Sequence, residues 1–75
     1  MSKELPRVTA KEIIAVLEKL DFSFVRQSGS HKIYRNPEGK RATVPFHGSK
    51  TLHPKVLKSI LKDANIDSEK LINLL

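Results

Sequence analysis

The spacing of the apolar residues changes twice along this chain, and these changes constrain its fold. From Ile13 to Leu20 the apolar positions recur every three or four residues, which is typical of one face of a helix. Between residues 22 and 44, apolar and polar residues alternate in short runs, as they do in strands. From Leu57 to Ala64 the helical spacing returns. This order predicts an α+β fold with the helices on one face of a sheet.

Local signals predict where each helix begins and ends. Thr9 and Glu12 match a capping box, in which each side chain accepts a hydrogen bond from the other residue's backbone. Pro54 suits the first turn of a helix, and Asn65 suits its left-handed end. Asp67 can cap a last short helix. The predicted helices cover residues 10–20, 54–64 and 68–75.

Turn residues divide the central region into three predicted strands. Ser28–Ser30 has the composition of a hairpin loop, and Asn36–Gly39 has that of a type I turn. Ile33 and Tyr34 are adjacent and must point to opposite sheet faces, but the sequence does not indicate which one lies inside. A loop is expected over residues 46–53, and the whole chain, 1–75, is expected to form a single domain. The predicted antiparallel strands cover residues 22–27, 31–35 and 41–44.

Charge and composition limit the classes of partner. Lysine and arginine total 14 against 8 acidic residues, which gives a net charge of +6 and favours a polyanion such as nucleic acid. An acidic protein partner, or a basic surface that is simply solvated, stays open. The chain has no cysteine for disulfides or thiolate metal sites. No apolar run resembles a signal peptide or approaches the roughly 20 residues of a membrane span, so we expect a soluble, cytoplasmic protein.

Histidine is the residue type best suited to chemistry in this chain. The sequence has no H-E-x-x-H motif and no cluster of carboxylates for metal ions, so neither a metal nor a cofactor is expected. RNA carries its own nucleophile, the 2′-hydroxyl, and a histidine with nearby cations can move the protons of its cleavage. His31 follows the turn residues Gly29 and Ser30 and is the best placed of the three histidines. From the residues alone, however, a structural role in the hairpin is favoured over a catalytic one. The nearby cations that could hold phosphates are Arg26, Lys32 and Arg35.

Other polar residues have weaker functional interpretations. Ser30 either contacts phosphate or shapes the turn, and His47 is a phosphate donor, a second proton carrier or a loop residue. His53 precedes Pro54 and is expected mainly to start the helix. One face of that helix carries three lysines that either follow RNA or are simply solvated, namely Lys55, Lys58 and Lys62.

Three segments together resemble one protein family. They are the Gly-Ser-His motif within Gly29–Tyr34, the Val-Pro-x-His segment Val44–His47, and the helix Leu57–Ile66. From Val8 to Leu75, the chain is similar to the HicA family of toxin ribonucleases. The resemblance implies a fold like the double-stranded RNA-binding domain, cleavage of mRNA with His31 as the catalytic residue, and a HicB antitoxin partner that covers the active site. The family often has glycine where this chain has Asn65, which also tolerates the left-handed conformation.

The leading hypothesis is therefore a metal-independent endoribonuclease toxin in which His31 is the general acid and base. The alternative is a non-catalytic RNA-binding module that recognises duplex RNA by its shape. A third possibility is a protein-interaction domain that docks on an acidic partner and has no appreciable RNA affinity.

Overall fold

The computed structural model describes residues 5–47 and 50–75, so part of the predicted loop at 46–53 lies outside the described residues. The order and type of the elements confirm the predicted α+β arrangement, and their limits differ from the predicted ones by no more than one residue. No helix in the described part of the chain has the length and apolar character needed to cross a membrane. The elements are α1 (Ala10–Lys19), β1 (Ser23–Ser28), β2 (His31–Arg35), β3 (Arg41–Pro45), α2 (Pro54–Ala64) and α3 (Ser68–Leu74).

The helix ends form as the sequence predicts. The Thr9 hydroxyl accepts a hydrogen bond from the Glu12 N–H at 3.2 Å, and the Glu12 carboxylate accepts one from the Thr9 N–H at 2.8 Å. α2 ends at Asn65 with φ 60° and ψ 43°, the left-handed conformation that stops a helix. The Asp67 carboxylate accepts a hydrogen bond from a backbone N–H in the first turn of α3. These caps satisfy backbone groups that the helices themselves leave unpaired.

The three strands form one antiparallel sheet in the order β1-β2-β3, and its helix-covered face holds the main core. Tyr34 of β2 and Ala42 and Val44 of β3 are buried in this core. Tyr34 is therefore the inward residue of the adjacent pair that the sequence left open. The helices supply most of the other members of the cluster, including Ile13, Val16 and Leu17 of α1, Leu57, Ile60 and Leu61 of α2, and Leu71 of α3.

Ile33 lies on the opposite face of the sheet and is also buried, with 7% of its surface exposed. It is separate from the main core cluster. Its cross-strand partners are Arg26 on β1 and Thr43 on β3, both exposed. Ile33 therefore forms an apolar centre for a face that is otherwise mostly polar and basic.

Candidate nucleic-acid interface

A tight hairpin places His31 at the first position of β2. Ser28 and His31 pair across the ladder, which leaves Gly29 and Ser30 as a two-residue loop. Gly29 has φ +59°, and a Cβ atom added there would meet nothing within 4 Å, so the backbone conformation alone favours glycine. A positive φ at the first loop position is the type II′ arrangement, which matches the twist of paired strands. The hairpin leaves His31 exposed.

His31 shares a sheet face with three arginines. Successive strand residues alternate between faces, so His31, Ile33 and Arg35 all point away from the helices that cover Tyr34. Residues paired across strands lie on the same face, and the register forms three rows about 6.6 Å apart. We call this surface the open face; its rows are Ser28, His31 and Pro45, then Arg26, Ile33 and Thr43, then Ser23, Arg35 and Arg41.

A bulge in β1 brings Arg26 onto the open face. Phe24 pairs with Tyr34 and Arg26 pairs with Ile33, so one extra residue, Val25, lies between them on β1. Phe24 therefore lies on the helix-covered face, where its ring meets that of Tyr34 edge-on at 5.7 Å between centroids. Without the bulge, Phe24 and Arg26 would lie on the same face. Bulges next to functional sites often redirect a side chain in this way.

Arg41 is a basic residue of the open face that the sequence reasoning missed. It pairs directly with Arg35 across β2 and β3, and both side chains are exposed. Among the described residues, no carboxylate lies within 4.0 Å of either guanidinium group; the described ion pair is Lys40 with Glu38. The sequence held a usable signal for this pairing, because Arg35 ends the second predicted strand and Arg41 begins the third, on either side of the predicted turn. The open face thus carries three cations without a described neutralising partner.

Lys32 lies on the other side of β2 from His31. It pairs with Val44, a core residue, and its Nζ lies 4.0 Å from the centroid of the Phe46 ring. This is a cation–π contact, which contributes to packing. The structure therefore brings Arg26, Arg35 and His31 together on one face and separates Lys32 from them.

The other predicted contacts lie beside the hairpin and beyond β3. The Ser30 carbonyl accepts a hydrogen bond from the Phe46 N–H at 2.7 Å, which ties the hairpin loop to the end of β3. His47 is exposed. His53 is the N-cap of α2, as expected, since its Nδ1 accepts a hydrogen bond from the Lys55 N–H at 3.1 Å. These contacts give Ser30 and His53 structural roles through their carbonyl and Nδ1 atoms respectively.

The imidazole of His31 has neither a hydrogen bond nor an ion pair within the described part of the chain. No carboxylate of the described residues holds the ring in one orientation, so a bound substrate can determine which nitrogen it contacts. Over the same residues, no group of three His, Cys, Asp or Glu side chains is arranged to hold a metal ion.

The comparison with protein families agrees with the geometry. A family model described as the HicA toxin of bacterial toxin–antitoxin systems matches residues 10–66. The match runs from the start of α1 to just beyond α2 and includes the whole sheet. No curated protein is significantly similar to the chain.

Proposed function

Because the chain belongs to the HicA toxin family, we propose that it is an endoribonuclease that cleaves mRNA and that His31 is its acid–base residue. The family gives the chain a toxin role in a toxin–antitoxin system. The chemistry, the metal independence and the residue assignments are our proposal. We further propose that residues 1–75 act as one domain in the cytoplasm, where the mRNA substrate is found.

The proposed reaction uses the nucleophile that RNA already contains. His31 accepts the proton of a 2′-hydroxyl, whose oxygen attacks the adjacent phosphorus atom. The bond from phosphorus to the 5′-oxygen breaks, and the imidazolium returns the proton to that leaving oxygen. A positioned acid or base of this kind contributes about 10²–10⁴-fold to a rate. The nucleophile is not a metal-bound water, and in this proposal the arginines rather than a metal ion offset the charge on the phosphate.

The arginines of the open face support this proposal most strongly. Arg26 lies in the row next to His31, and Arg35 lies in the row after that. Guanidinium groups bind phosphates through paired hydrogen bonds and keep their charge at all relevant pH values. An RNA strand lying across this face would therefore place its phosphates near the arginines and one ribose–phosphate junction near His31. Ser30 and His47, at the edges of the face, are proposed as further phosphate contacts, and Gly29 as the turn residue that positions the histidine.

A toxin of this kind implies an antitoxin partner. We propose a HicB-like protein that binds the open face and thereby excludes RNA. The net charge of +6 favours a partner with an acidic contact surface.

The decisive experiment compares the wild type with His31→Ala on a single-stranded RNA in the presence of EDTA. We expect cleavage by the wild type and a loss of about 10²–10⁴-fold in rate for the variant, with an unchanged circular dichroism spectrum. Lys70→Ala, which removes a cation from α3, is the matched control and should cleave normally.

Three outcomes would contradict all or part of the proposal. Full activity of a folded His31→Ala protein would remove the histidine from the mechanism. RNA that is bound but never cut would favour the non-catalytic RNA-binding module instead. Cleavage that requires an added divalent metal would disprove the metal-independent step alone.

A further inference from the structure

A surface pocket lies between the end of β3 and the start of α2, beside the open face. Its volume is about 570 Å³, within the range of about 300–1,000 Å³ that is usual for small-molecule sites. Pro45, Leu52 and Val56 form apolar parts of its lining. The pocket is therefore a concave apolar site, in contrast to the sheet surface next to it.

The polar residues of the pocket lining are two histidines, a lysine and Thr51. His47, Lys50 and His53 all belong to the lining, and no acidic residue is among the described lining residues. The His53 ring is held in place, because its Nδ1 accepts the Lys55 N–H at 3.1 Å. In neutral His53 the proton must then lie on Nε2, which can donate a hydrogen bond to a ligand. His53 thus presents an oriented aromatic ring inside the pocket.

The pocket is tied to His31 through the sheet. Pro45 is the cross-strand partner of His31 and also lines the pocket. The next residue, Phe46, donates its N–H to the Ser30 carbonyl at 2.7 Å. Leu52 is fixed as well, since its N–H donates to the Val8 carbonyl at 2.8 Å. An RNA strand whose reacting phosphate lies at His31 would therefore have a neighbouring nucleotide at the pocket.

We propose that this pocket binds one nucleobase of the RNA, adjacent to the phosphate that is cleaved, and so determines the base preference of the enzyme. The inference rests on the proposed function. Single-stranded RNA is recognised mainly by splayed bases that stack on aromatic side chains, histidine included. Apolar walls and the His53 ring fit the base, and Lys50 fits its phosphate. A free phosphate would leave the apolar walls unused, and the lysine disfavours a cationic ligand.

The test uses full-length protein carrying His31→Ala, so that bound RNA stays intact. The probes are five-nucleotide RNAs, rA5 and rU5, and an abasic ribose–phosphate strand of the same length. The critical variant adds His53→Asn, because asparagine keeps the helix cap but removes the aromatic ring. Lys70→Ala in the same background is the control for a lost cation outside the pocket.

We expect the intact RNAs to bind more tightly than the abasic strand, with amide shifts in NMR spectra at Thr51, Leu52 and Val56. His53→Asn should reduce that preference by about fivefold or more, the lower limit for one base–aromatic stack. Lys70→Ala should affect all three probes equally. An unchanged preference in the His53→Asn protein would overturn the inference.

The two proposals fail differently. If the wild type does not cleave RNA but His53→Asn still reduces the preference for intact RNA over the abasic strand, the pocket proposal stands and the nuclease proposal is wrong. If the wild type cleaves through His31 and the base preference is absent or independent of His53, the nuclease stands and the pocket proposal is wrong.

Discussion

Arg35 and Arg41 lie directly opposite each other across β2 and β3, at the end of the open face away from His31. Like charges in this position destabilise an antiparallel sheet. Among the described residues no carboxylate lies within ion-pair distance to offset the repulsion. The pair is therefore unfavourable in the free protein and favourable when a polyanion covers it. This relationship is consistent with the proposed role of the open face in binding RNA.

Replacing Arg41 should separate these two effects. Arg41→Ala removes the repulsion, so the free energy of unfolding in urea should rise by roughly 0.2–1 kcal/mol. Its affinity for single-stranded RNA should fall, and the slope of log affinity against log salt should become shallower by about 0.7 for the lost phosphate contact. Urea unfolding measures the change in stability, and fluorescence anisotropy at several salt concentrations measures the RNA affinity and its dependence on salt.

Arg7→Ala is the control, since Arg7 is exposed and lies outside the sheet. It should leave the salt dependence close to that of the wild type. If Arg41→Ala and Arg7→Ala change RNA binding equally, the RNA does not bind along the open face.

Lys32 and Arg26 should differ in function although they are close in sequence. Lys32→Ala removes the contact with the Phe46 ring and should destabilise the fold by about 0.5–2 kcal/mol, as expected for a cation–π pair between two half-buried side chains. Because Lys32 lies on the other face of β2, its loss should weaken RNA binding less than Arg26→Ala does. Urea unfolding and anisotropy on the two variants test this. Equal losses of RNA affinity would show that RNA contacts both faces of the sheet.

Most of the fold could be predicted from sequence because its signals are local. The capping box at Thr9, the turn at Asn36–Gly39 and the left-handed stop at Asn65 each depend on residues within one turn of the chain. The Gly39 N–H donates to the Asn36 carbonyl at 3.0 Å, as a type I turn requires. Local chemistry of this kind also placed His31 at the start of a strand.

The remainder depends on which strands pair and in what register. The sequence did not show which of Ile33 and Tyr34 faces the helices, because both are apolar and both are buried. The bulge between Phe24 and Arg26 shifts one face of β1, and alternation alone gives no sign of it. The residues that line the pocket beside β3 all lie between 45 and 56, but the sequence gives no sign that the end of β3 and the start of α2 form a concave site there. Candidate site residues could thus be proposed from their residue types, but their grouping on one surface required the structure.

Tyr34 makes the stability sensitive to alkaline pH. Burial, with a smaller contribution from the negative charge of Glu18, raises the pKa of Tyr34 above its usual value of 10.0. The unfolded state therefore releases this proton at lower pH than the folded state does. The stability that protonated Tyr34 contributes is fully present below the pKa of tyrosine in the unfolded state. It is lost as the pH rises through the pKa of Tyr34 in the folded state.

Tyr34→Phe should remove that part of the pH dependence. Between about pH 9 and pH 11.5, on either side of the usual tyrosine pKa, the wild type should lose more unfolding free energy than the variant. Glu18→Gln should show a slightly smaller loss than the wild type. Parallel curves for the wild type and Tyr34→Phe, measured by urea unfolding at each pH, would contradict the link between burial and titration.

Gly29 should be required for its backbone conformation rather than for space. At φ +59° an L-residue with a Cβ atom is strained, although nothing lies within 4 Å of that position. Gly29→Ala should therefore destabilise the protein by about 1–2 kcal/mol, and Gly29→Asn should cost less because asparagine tolerates positive φ. Ser30→Ala, in the same loop, should stay within about 0.5 kcal/mol of the wild type. Since this loop positions His31, Gly29→Ala should also slow RNA cleavage under conditions where the protein is fully folded. Wild-type stability in Gly29→Ala would mean that the hairpin readily adopts another turn and that the glycine does not hold the histidine in place.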